Sequence, residues 1–477
     1  MSITDLFVLI PVIVIAATSV VIMLTIAFHR NHLMIFLLTF FGISLAFSSF
    51  LIIEPYVPHR ITSLLILDHY GLFYLGLIFS ASLVVTILSY NYLKECEEDH
   101  EEFYILLLLA TLGSSILVMS IHFASLFLGL EILSVSLYAF IAYLRTREHS
   151  IEAGIKYLVL ASVSAAFLLF GMALIYSELG TMELHQMTAR IATISNPKIL
   201  LFSGLVMIII GVGFKLALVP FHMWTPDVYE GAPAPVTSFV ATVSKGTVFA
   251  LLVRYFTQMN IQNFNSLFIV FTLISIASMF VGNLLALLQN NLKRILAYSS
   301  IAHLGYLLVA FLASGSTAIM AVSYYLVAYF VTTLGAFGVI SVLSGKDRDA
   351  DSLAEYEGLF WRRPWLATVF TAMILSLAGI PLTAGFIGKF YVILAGVKSL
   401  LWFLVIIMII NSAIGLFYYL RIIVAMFTHP KSEEVPLIAS SVSLSEGFIL
   451  TLLTLILIWL GIYPSILIDI IEHLELV

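Results

Sequence analysis

Long apolar runs, separated by short polar breaks, recur along nearly the whole chain. Runs of about 18 residues or more can cross a hydrocarbon core of about 30 Å, because a helix rises about 1.5 Å per residue. Reading each run to its nearest charged, Gly or Pro boundary predicts about fourteen transmembrane helices, at residues 5–28, 33–53, 72–91, 103–121, 123–144, 155–177, 200–221, 235–257, 265–288, 294–313, 316–343, 365–396, 400–428 and 445–463. The connections are short, so neighbouring helices should be antiparallel.

Three stretches depart from this pattern, and the first apolar run needs a separate check. Residues 54–70 and 177–198 are polar and are predicted to form short surface structure at one end of the bundle. The acidic run at residues 96–102 is expected to be a solvated loop at the opposite end. The first apolar run, from Leu6 to Phe28, lacks a basic lead and a small-residue cleavage site, so we expect it to remain as a helix.

Composition excludes a water-soluble fold. Hydrophobic residues make up 62% of the chain and charged residues only 10%, against about 25% charged in ordinary soluble domains. The predicted fold class is therefore all-α, a polytopic membrane protein. A formal charge of -6 gives no sign of a nucleic-acid partner. With a single cysteine, Cys96, the chain is expected to hold no internal disulfide, iron–sulfur cluster or Cys-based zinc site, and no metal site is predicted.

Basic residues test the number of spans, because short cytoplasmic loops carry an excess of Lys and Arg. The predicted cytoplasmic side collects Arg30, Lys94, Arg145, Arg147, Lys156, Lys293, Arg294, Lys346, Arg348, Arg362, Arg363, Arg421 and Lys431. The other side has Arg60, Arg190, Lys198, Arg254 and Lys398. An even number of spans, with both termini on the periplasmic side, accounts for this alternation and favours fourteen helices over thirteen.

Three lysines, Lys215, Lys245 and Lys389, remain inside apolar segments, and Glu131 lies near the middle of the fifth predicted span. A charge at a helix centre costs about 2.5 to 3.5 kcal/mol on insertion scales, so four of them cost on the order of 10 kcal/mol. Charges that persist at this cost indicate either a structural or a functional requirement.

The structural alternative is an ion pair between Glu131 and Lys215 that locks two helices together. It leaves Lys245 and Lys389 unexplained, because neither has an obvious acidic partner in neighbouring spans. The functional alternative is proton transfer, since burial disfavours the charged form of a lysine that has no partner. In that hypothesis the Glu131–Lys215 pair acts as a switch, which holds the proton when closed and releases it when open.

Two predicted helices contain breaks. Lys215 is followed by Pro220 and Pro226, which interrupt backbone hydrogen bonds beside the lysine. The twelfth span, residues 365–396, would be some 48 Å long if straight, and residues 378–385 offer its break just before Lys389. Broken helices in corresponding positions indicate inverted repeats, here two of five helices each. Ordinary proline kinks are the alternative.

Polar groups between these charges are few. His222 lies in the first break and His303 in the tenth span, and both are candidate relays, with simple packing as the alternative. Lys293 opens the tenth span, where it is either a topological anchor or a gate at the cytoplasmic end of the path. Lys156 is undecided between the same two roles.

Four segments carry a resemblance to a known family. They read LFLGLEIL at residues 126–133, GFKLALVPFHMWTPDVYEGAPAPV at 213–236, NLKRILAYSSIAHLGY at 291–306 and GFIGKF at 385–390. Together they resemble the antiporter-like subunit family of bacterial proton-pumping NADH:quinone oxidoreductase, respiratory complex I, and within it the subunit N type. The resemblance covers essentially the full length, and no charged position departs from it.

The resemblance implies fourteen helices with two inverted five-helix repeats. The expected divisions are helices 1–3 at residues 1–102, the first repeat at 103–257, the second at 265–428, and helix 14 with a tail at 429–477. It also implies a proton path through Glu131, Lys215, Lys245 and Lys389, with Lys156 and Lys293 as further members.

The resemblance implies that this chain holds no cofactor, and that NADH, FMN, iron–sulfur clusters and quinone bind to other subunits. The implied neighbours are antiporter-like subunit M and small subunits J and K, in the lipid bilayer of a bacterial inner membrane. Two alternatives remain open: a subunit of a stand-alone cation/proton antiporter or membrane hydrogenase, and an inert scaffold that only holds partners together.

Overall fold

The computed structural model describes residues 3–96, 100–193, 199–259, 265–313, 315–429 and 442–474. The core of the predicted acidic loop and the basic residues Lys198 and Lys431 lie outside these ranges. The first half contains α1 (Ile3–Val8), α2 (Ile10–Phe28), α3 (His32–Ser48), α4 (Phe50–Ile53), β1 (His59–Arg60), β2 (Ile66–Leu67), α5 (His69–Lys94), α6 (Glu102–Met119), α7 (Phe123–Ile141), α8 (Glu148–Leu179), α9 (Leu184–Thr193), α10 (Ile199–Lys215), α11 (Trp224–Gly231), α12 (Ala234–Phe239) and α13 (Lys245–Met259).

The second half is helical as well. It contains α14 (Asn265–Leu287), α15 (Leu292–Ala313), α16 (Gly315–Leu343), α17 (Leu359–Arg362), α18 (Pro364–Ala378), α19 (Ala384–Lys398), α20 (Trp402–Phe427), α21 (Leu444–Ile462) and α22 (Ser465–Glu472). Within the described residues, 12 spans are long and apolar enough to cross a membrane. The broken pairs α10/α11 and α18/α19 supply the two others, which confirms the predicted all-α polytopic fold.

The first break begins earlier than the prolines alone predict, because α10 already ends at Lys215. Ala217 takes a left-handed φ of 56°, and the chain turns before α11 starts at Trp224. The indole N–H of Trp224 donates to the carbonyl oxygen of Phe214 at 2.9 Å. This carbonyl also accepts from the backbone N–H of Ala217 at 2.9 Å, so the indole adds a second bond to an acceptor at the end of the broken helix.

The second break has the opposite arrangement, with its lysine after the gap. Helix α18 ends at Ala378, and Gly379 caps its carboxyl end in the left-handed conformation, with a φ of 83°. Lys389, on α19, donates from Nζ to the carbonyl oxygen of Ala378 at 2.7 Å. A cation at the carboxyl end of a helix is favoured by the helix dipole and by the carbonyls exposed there.

A π-helical turn at Val240–Ser244 interrupts the eighth span, which the sequence pattern predicts as one regular helix. Single π turns occur frequently at functional sites, because the extra residue changes which side chains face the interior. Here the turn comes directly before Lys245, the first residue of α13.

The two ends of the bundle differ in structure. At one end β1 pairs with β2 in antiparallel register. Arg60 of β1 pairs with Glu183, directly before α9, and Glu183 also forms a bridge with His122. This confirms the predicted surface structure in both polar stretches, and we call this end the hairpin end. The described chain ends also lie there: Asp5 bonds to His59 at 2.8 Å, and α22 lines a cleft with Glu54.

Arg254 departs from its predicted place at the surface of this end. It is only 4% exposed and lies inside the eighth span. Its guanidinium donates to both carboxylate oxygens of Asp68, at 2.6 and 2.8 Å. Asp68 also caps α5, because its Oδ1 accepts from the backbone N–H of Gly71 at 2.7 Å. A buried arginine therefore ties the eighth span to the start of the third, and its charge is compensated within the protein.

Replacing Asp68 with Asn should destabilise the assembled protein, by about 3 to 5 kcal/mol, because the amide keeps the helix cap but leaves the Arg254 charge uncompensated. Thermal unfolding in detergent measures this loss. The matched control is Glu54→Gln, the same change at an exposed residue of the same end. Equal melting temperatures for the two variants would show that the buried pair contributes no more than a surface charge.

Candidate functional site

Lys215 and Glu131 lie close together but do not form a direct ion pair. Lys215 Nζ donates to Ser134 Oγ at 2.6 Å, and it lies over the ring of Tyr157, with 5.6 Å to the centroid. Ser134 is one helical turn after Glu131 on α7, so both residues share a face. The buried Oε1 atom of Glu131 has no hydrogen-bond partner among the described residues. The structure therefore shows Glu131 and Lys215 without a direct ion pair, with a serine hydroxyl beside the lysine.

Lys245 forms no ion pair with any described Asp or Glu and is only 1% exposed. Its Nζ donates to Ser300 Oγ at 2.9 Å. The ammonium also lies 4.8 Å from the ring centroid of Tyr229 and 5.6 Å from that of Trp224. Aromatic faces attract a cation and take the place of part of its hydration, without fixing it as a carboxylate would.

Trp224 connects the surroundings of Lys215 and Lys245. Its ring packs against Tyr157 at 5.0 Å and Phe214 at 5.4 Å, centroid to centroid, on the Lys215 side. Its opposite contact is the Lys245 ammonium. The first helix break therefore places one aromatic ring between the two lysines.

Lys389 has similar surroundings at the second break. Besides the carbonyl of Ala378, its Nζ donates to Ser412 Oγ at 3.0 Å. It also lies 5.5 Å from the ring centroid of Tyr306. Like Lys245, it forms no ion pair with a described carboxylate.

His303 lies in a buried chain of hydroxyl groups. Its Nδ1 is 2.7 Å from the Tyr325 hydroxyl, and its Nε2 is 3.0 Å from the Tyr419 hydroxyl. Tyr419 also makes a short hydrogen bond with Ser299, whose neighbour Ser300 holds Lys245. A neutral imidazole donates through one nitrogen and accepts through the other, so it can pass a proton between its two partners.

This chain reaches the second helix break. His303 and Tyr325 line a cavity of about 10 Å³ together with Thr332 and Ser376, whose hydroxyls are 3.1 Å apart. A space of this size holds about one water molecule when it has polar partners, and this one has several. The groups from Ser300 to Ser376 therefore form a nearly continuous polar route through an otherwise apolar interior.

His222 is not part of this route. It is buried in the turn after α10, where neither ring nitrogen has a well-formed hydrogen bond to a described residue. The structure thus places His303 between tyrosine hydroxyls and leaves His222 among apolar neighbours.

Lys293 is fixed by three acceptors at the end of the bundle opposite the hairpin. Its Nζ donates to Asp349 Oδ2 at 2.7 Å and to the carbonyl oxygens of Ala232 and Glu230 at 2.6 and 2.9 Å. Only 1% of it is exposed, although the sequence places it with the residues at helix ends. Lys293 therefore joins the start of α15 to the chain between α11 and α12.

Lys156 belongs to the same end, in the third turn of a helix that starts earlier than predicted. Its Nζ contacts Asp227 at 2.8 Å and Glu152 at 2.7 Å, and its side chain is 43% exposed. Asp227 also accepts from Arg294, which pairs in turn with Glu230. We call the end of the bundle that contains these ion pairs and those of Asp349 the network end.

Asp349 is the central residue of the network end, and the sequence pattern does not identify it. Besides Lys293, it accepts from Arg147 at 2.9 Å and from the Tyr92 hydroxyl at 2.6 Å. Burial raises the pKa of this carboxyl group, but Lys293 and Arg147 outweigh it, so the pKa lies below its usual range. Asp349 sits in a loop with Asp347 and Asp351, and nothing in the sequence distinguishes it from them.

Asp349→Asn should lower the stability at pH 7 by about 3 to 5 kcal/mol, because two buried cations lose their counter-charge. Since the folded pKa of Asp349 is lowered, its contribution is complete above about pH 4 and is lost as the pH falls further. Melting temperatures from about pH 8 to pH 5 should therefore differ from wild type by a constant amount. Asp347→Asn, at an exposed position, is the control, and a loss as large as that of Asp349→Asn would contradict this role.

Comparison with known proteins gives a consistent result over the whole chain. Residues 120–415, more than half of the chain, match the family described as NADH:quinone oxidoreductase/Mrp antiporter, TM. NADH-quinone oxidoreductase subunit N of Nitrosospira multiformis is 54% identical over 485 residues, covering 98% of this chain and 96% of that protein. The subunit N of Ectopseudomonas mendocina is 48% identical, with 99% and 97% covered.

Solved structures agree with these relatives. A chain of respiratory complex I from Thermus thermophilus, with bound aureothin, superposes with a TM-score of 0.82 at 30% identity, covering 96% of this chain and 98% of the other. A chain of the Mrp complex from Dietzia sp. superposes with a TM-score of 0.86 at 18% identity, covering 99% and 97%. The second likeness shows a shared fold only.

Proposed function

Because the chain belongs to the subunit N family of NADH:quinone oxidoreductase, we propose that it carries protons through Glu131, Lys215, Lys245 and Lys389 while other subunits perform the redox steps. The observation that carries the proposal is a set of hydrogen bonds at two neighbouring residues of α15: Ser300 accepts from Lys245, and Ser299 bonds to Tyr419, which in turn bonds to His303. Proton transfer needs such a chain of hydroxyl, imidazole or water groups, because a hydrocarbon interior offers no other carrier.

The orientation of each broken helix follows from the positions of its two ends. Helix α10 starts at the hairpin end and α11 ends in the network end, whereas α18 follows the loop of the network end and α19 ends beside Ser316 at the hairpin end. The two breaks therefore run in opposite directions, as expected of two inverted repeats at residues 103–257 and 265–428. In this proposal each repeat contributes one lysine beside its break, and Lys245 with the His303 chain joins them.

The remaining candidate residues take secondary roles. Lys293 and Lys156 are surrounded by carboxylates and carbonyls at the network end, which supports a role in holding the entrance of the path in shape. His303 acts as a relay. His222 contributes only to the packing of the first break.

The proposed setting is a bacterial inner membrane, with the network end on the cytoplasmic side and both termini on the periplasmic side. The excess of basic residues toward the network end supports this orientation. The proposed neighbours are antiporter-like subunit M and small subunits J and K. NADH, FMN, iron–sulfur clusters and quinone are assigned to other subunits of the complex.

Lys215→Ala should abolish most NADH-driven proton pumping, because the path loses the proton-binding group beside the first break. Acidification of inverted membrane vesicles measures pumping, and NADH oxidation with an artificial acceptor confirms assembly. Lys94→Ala, which removes an exposed lysine at a helix end, is the matched control. Pumping by Lys215→Ala at the level of the control would favour the inert scaffold instead.

Tyr419→Phe should lower pumping severalfold, because it removes the one hydroxyl that contacts both Ser299 and His303 while keeping the ring. The same vesicle assay applies. Tyr463→Phe removes an exposed hydroxyl and should pump like wild type. If the two tyrosine variants pump equally well, protons do not pass through Tyr419.

A further inference from the structure

Two adjoining cavities lie between the hairpin end and the buried lysines. The outer cavity has a volume of about 460 Å³ and is lined by polar groups that include Arg60, Glu183, His185 and Arg254. The second, which we call the apolar crevice, has a volume of about 60 Å³ and lies among α7, α8, α9, α10 and α13. Leu184 and Tyr255 line both, so the cavities meet at these side chains.

The inner end of the apolar crevice reaches the proposed proton carriers. Leu130, which lines it, directly precedes Glu131. Val212 lies one helical turn before Lys215, and Val248 lies one turn after Lys245. Residues three apart on a helix share a face, whereas adjacent residues do not, so the crevice ends beside Lys215 and Lys245.

The apolar crevice favours a dry state. Its walls are apolar side chains apart from Thr188 and Tyr255. A volume of about 60 Å³ has room for several water molecules, but a buried water needs two to four polar partners. Constrictions of this kind close channels by excluding water, because the free energy of wetting an apolar wall is unfavourable.

The outer cavity has the opposite character. The Tyr255 hydroxyl and the Arg254 Nε atom are buried and have no hydrogen-bond partner among the described residues. Both residues also line the outer cavity. Polar groups therefore extend inward from the hairpin end as far as Tyr255 and stop where the apolar crevice begins.

We propose that the apolar crevice is a hydrophobic gate between an aqueous outer cavity and Lys215, and that its wetting gives this lysine proton access to the hairpin end. This inference rests on the proposed proton-carrying role of Lys215. In the wet state the Lys215 ammonium passes its proton to water and becomes a neutral amine. In the dry state the same proton can leave only through the interior of the protein.

Helix α9 provides the movable wall of this gate. Leu184, Met187 and Ile191 of α9 face the apolar crevice, and α9 is not one of the spanning helices. A small outward shift of α9 enlarges the crevice toward the outer cavity without breaking a transmembrane segment. The spanning helices that carry the lysines can therefore stay in place while the gate opens.

The test is a pair of isosteric polar substitutions, Val248→Thr on α13 and Val212→Thr on α10. Each adds one hydroxyl to the apolar crevice, which should speed passive proton leak roughly tenfold, the factor expected when a buried hydroxyl makes wetting easier. The assay is the decay of a preformed pH gradient in liposomes that contain the purified complex, without NADH. Val163→Thr, the same change on a lipid-facing position of α8, should leak like wild type.

Adding Lys215→Ala to Val248→Thr should return the leak to the wild-type rate, because the proton then has no carrier at the inner end. A wild-type rate of proton leak in both valine variants, or a fast leak that persists without Lys215, would contradict the proposed gate. If one variant fails to assemble, the other decides the outcome from a different helix. Normal pumping by Lys215→Ala alone would instead overturn the proposed function, so the two failures are distinguishable.

Discussion

Hydrocarbon offers no partner to a charge or to a free backbone group, and the interior of this protein is organised by that constraint. The two helix breaks would be costly on their own, and so would the two lysines beside them. Lys389 relieves both costs at once, because it donates to the carbonyl that ends α18. At the first break the Trp224 indole adds a second hydrogen bond to the carbonyl of Phe214, and Lys215 donates to Ser134. Each break is thus stabilised by a side chain that the break itself positions.

The same constraint separates the buried charges into two kinds. Asp68 with Arg254 and Asp349 with Lys293 are closed ion pairs, with short bonds between full charges, and they join distant parts of the chain. Lys245 and Lys389 instead meet hydroxyls, a carbonyl and aromatic rings. A carboxylate partner stabilises the charged form of a buried lysine or arginine, and such a pair stabilises the fold. An ammonium held only by neutral partners loses less interaction energy when it is deprotonated. The ion-paired charges lie toward the two ends, and the lysines without a carboxylate partner lie between them.

Much of this arrangement is visible in the sequence, and the missing parts share a cause. The spans, the two breaks and the three central lysines follow from apolar runs and prolines, which act locally. The π turn before Lys245 does not, since no residue type in Val240–Ser244 signals it. Arg254 and Asp349 were misplaced or overlooked because each looks like an ordinary charge at a helix end or in a loop. Their partners lie 186 and 56 residues away along the chain.

The sequence by itself determined the membrane-spanning class, the number of spans and the residues whose charge is most costly, because length, hydropathy and chain direction are properties of single segments. The tertiary structure alone decided which charges pair, since pairing depends on contacts between helices far apart in sequence. It also decided that Glu131 and Lys215 are separated by a serine rather than joined. The difference between a direct ion pair and a lysine held by a neutral hydroxyl is therefore set by the packing between helices.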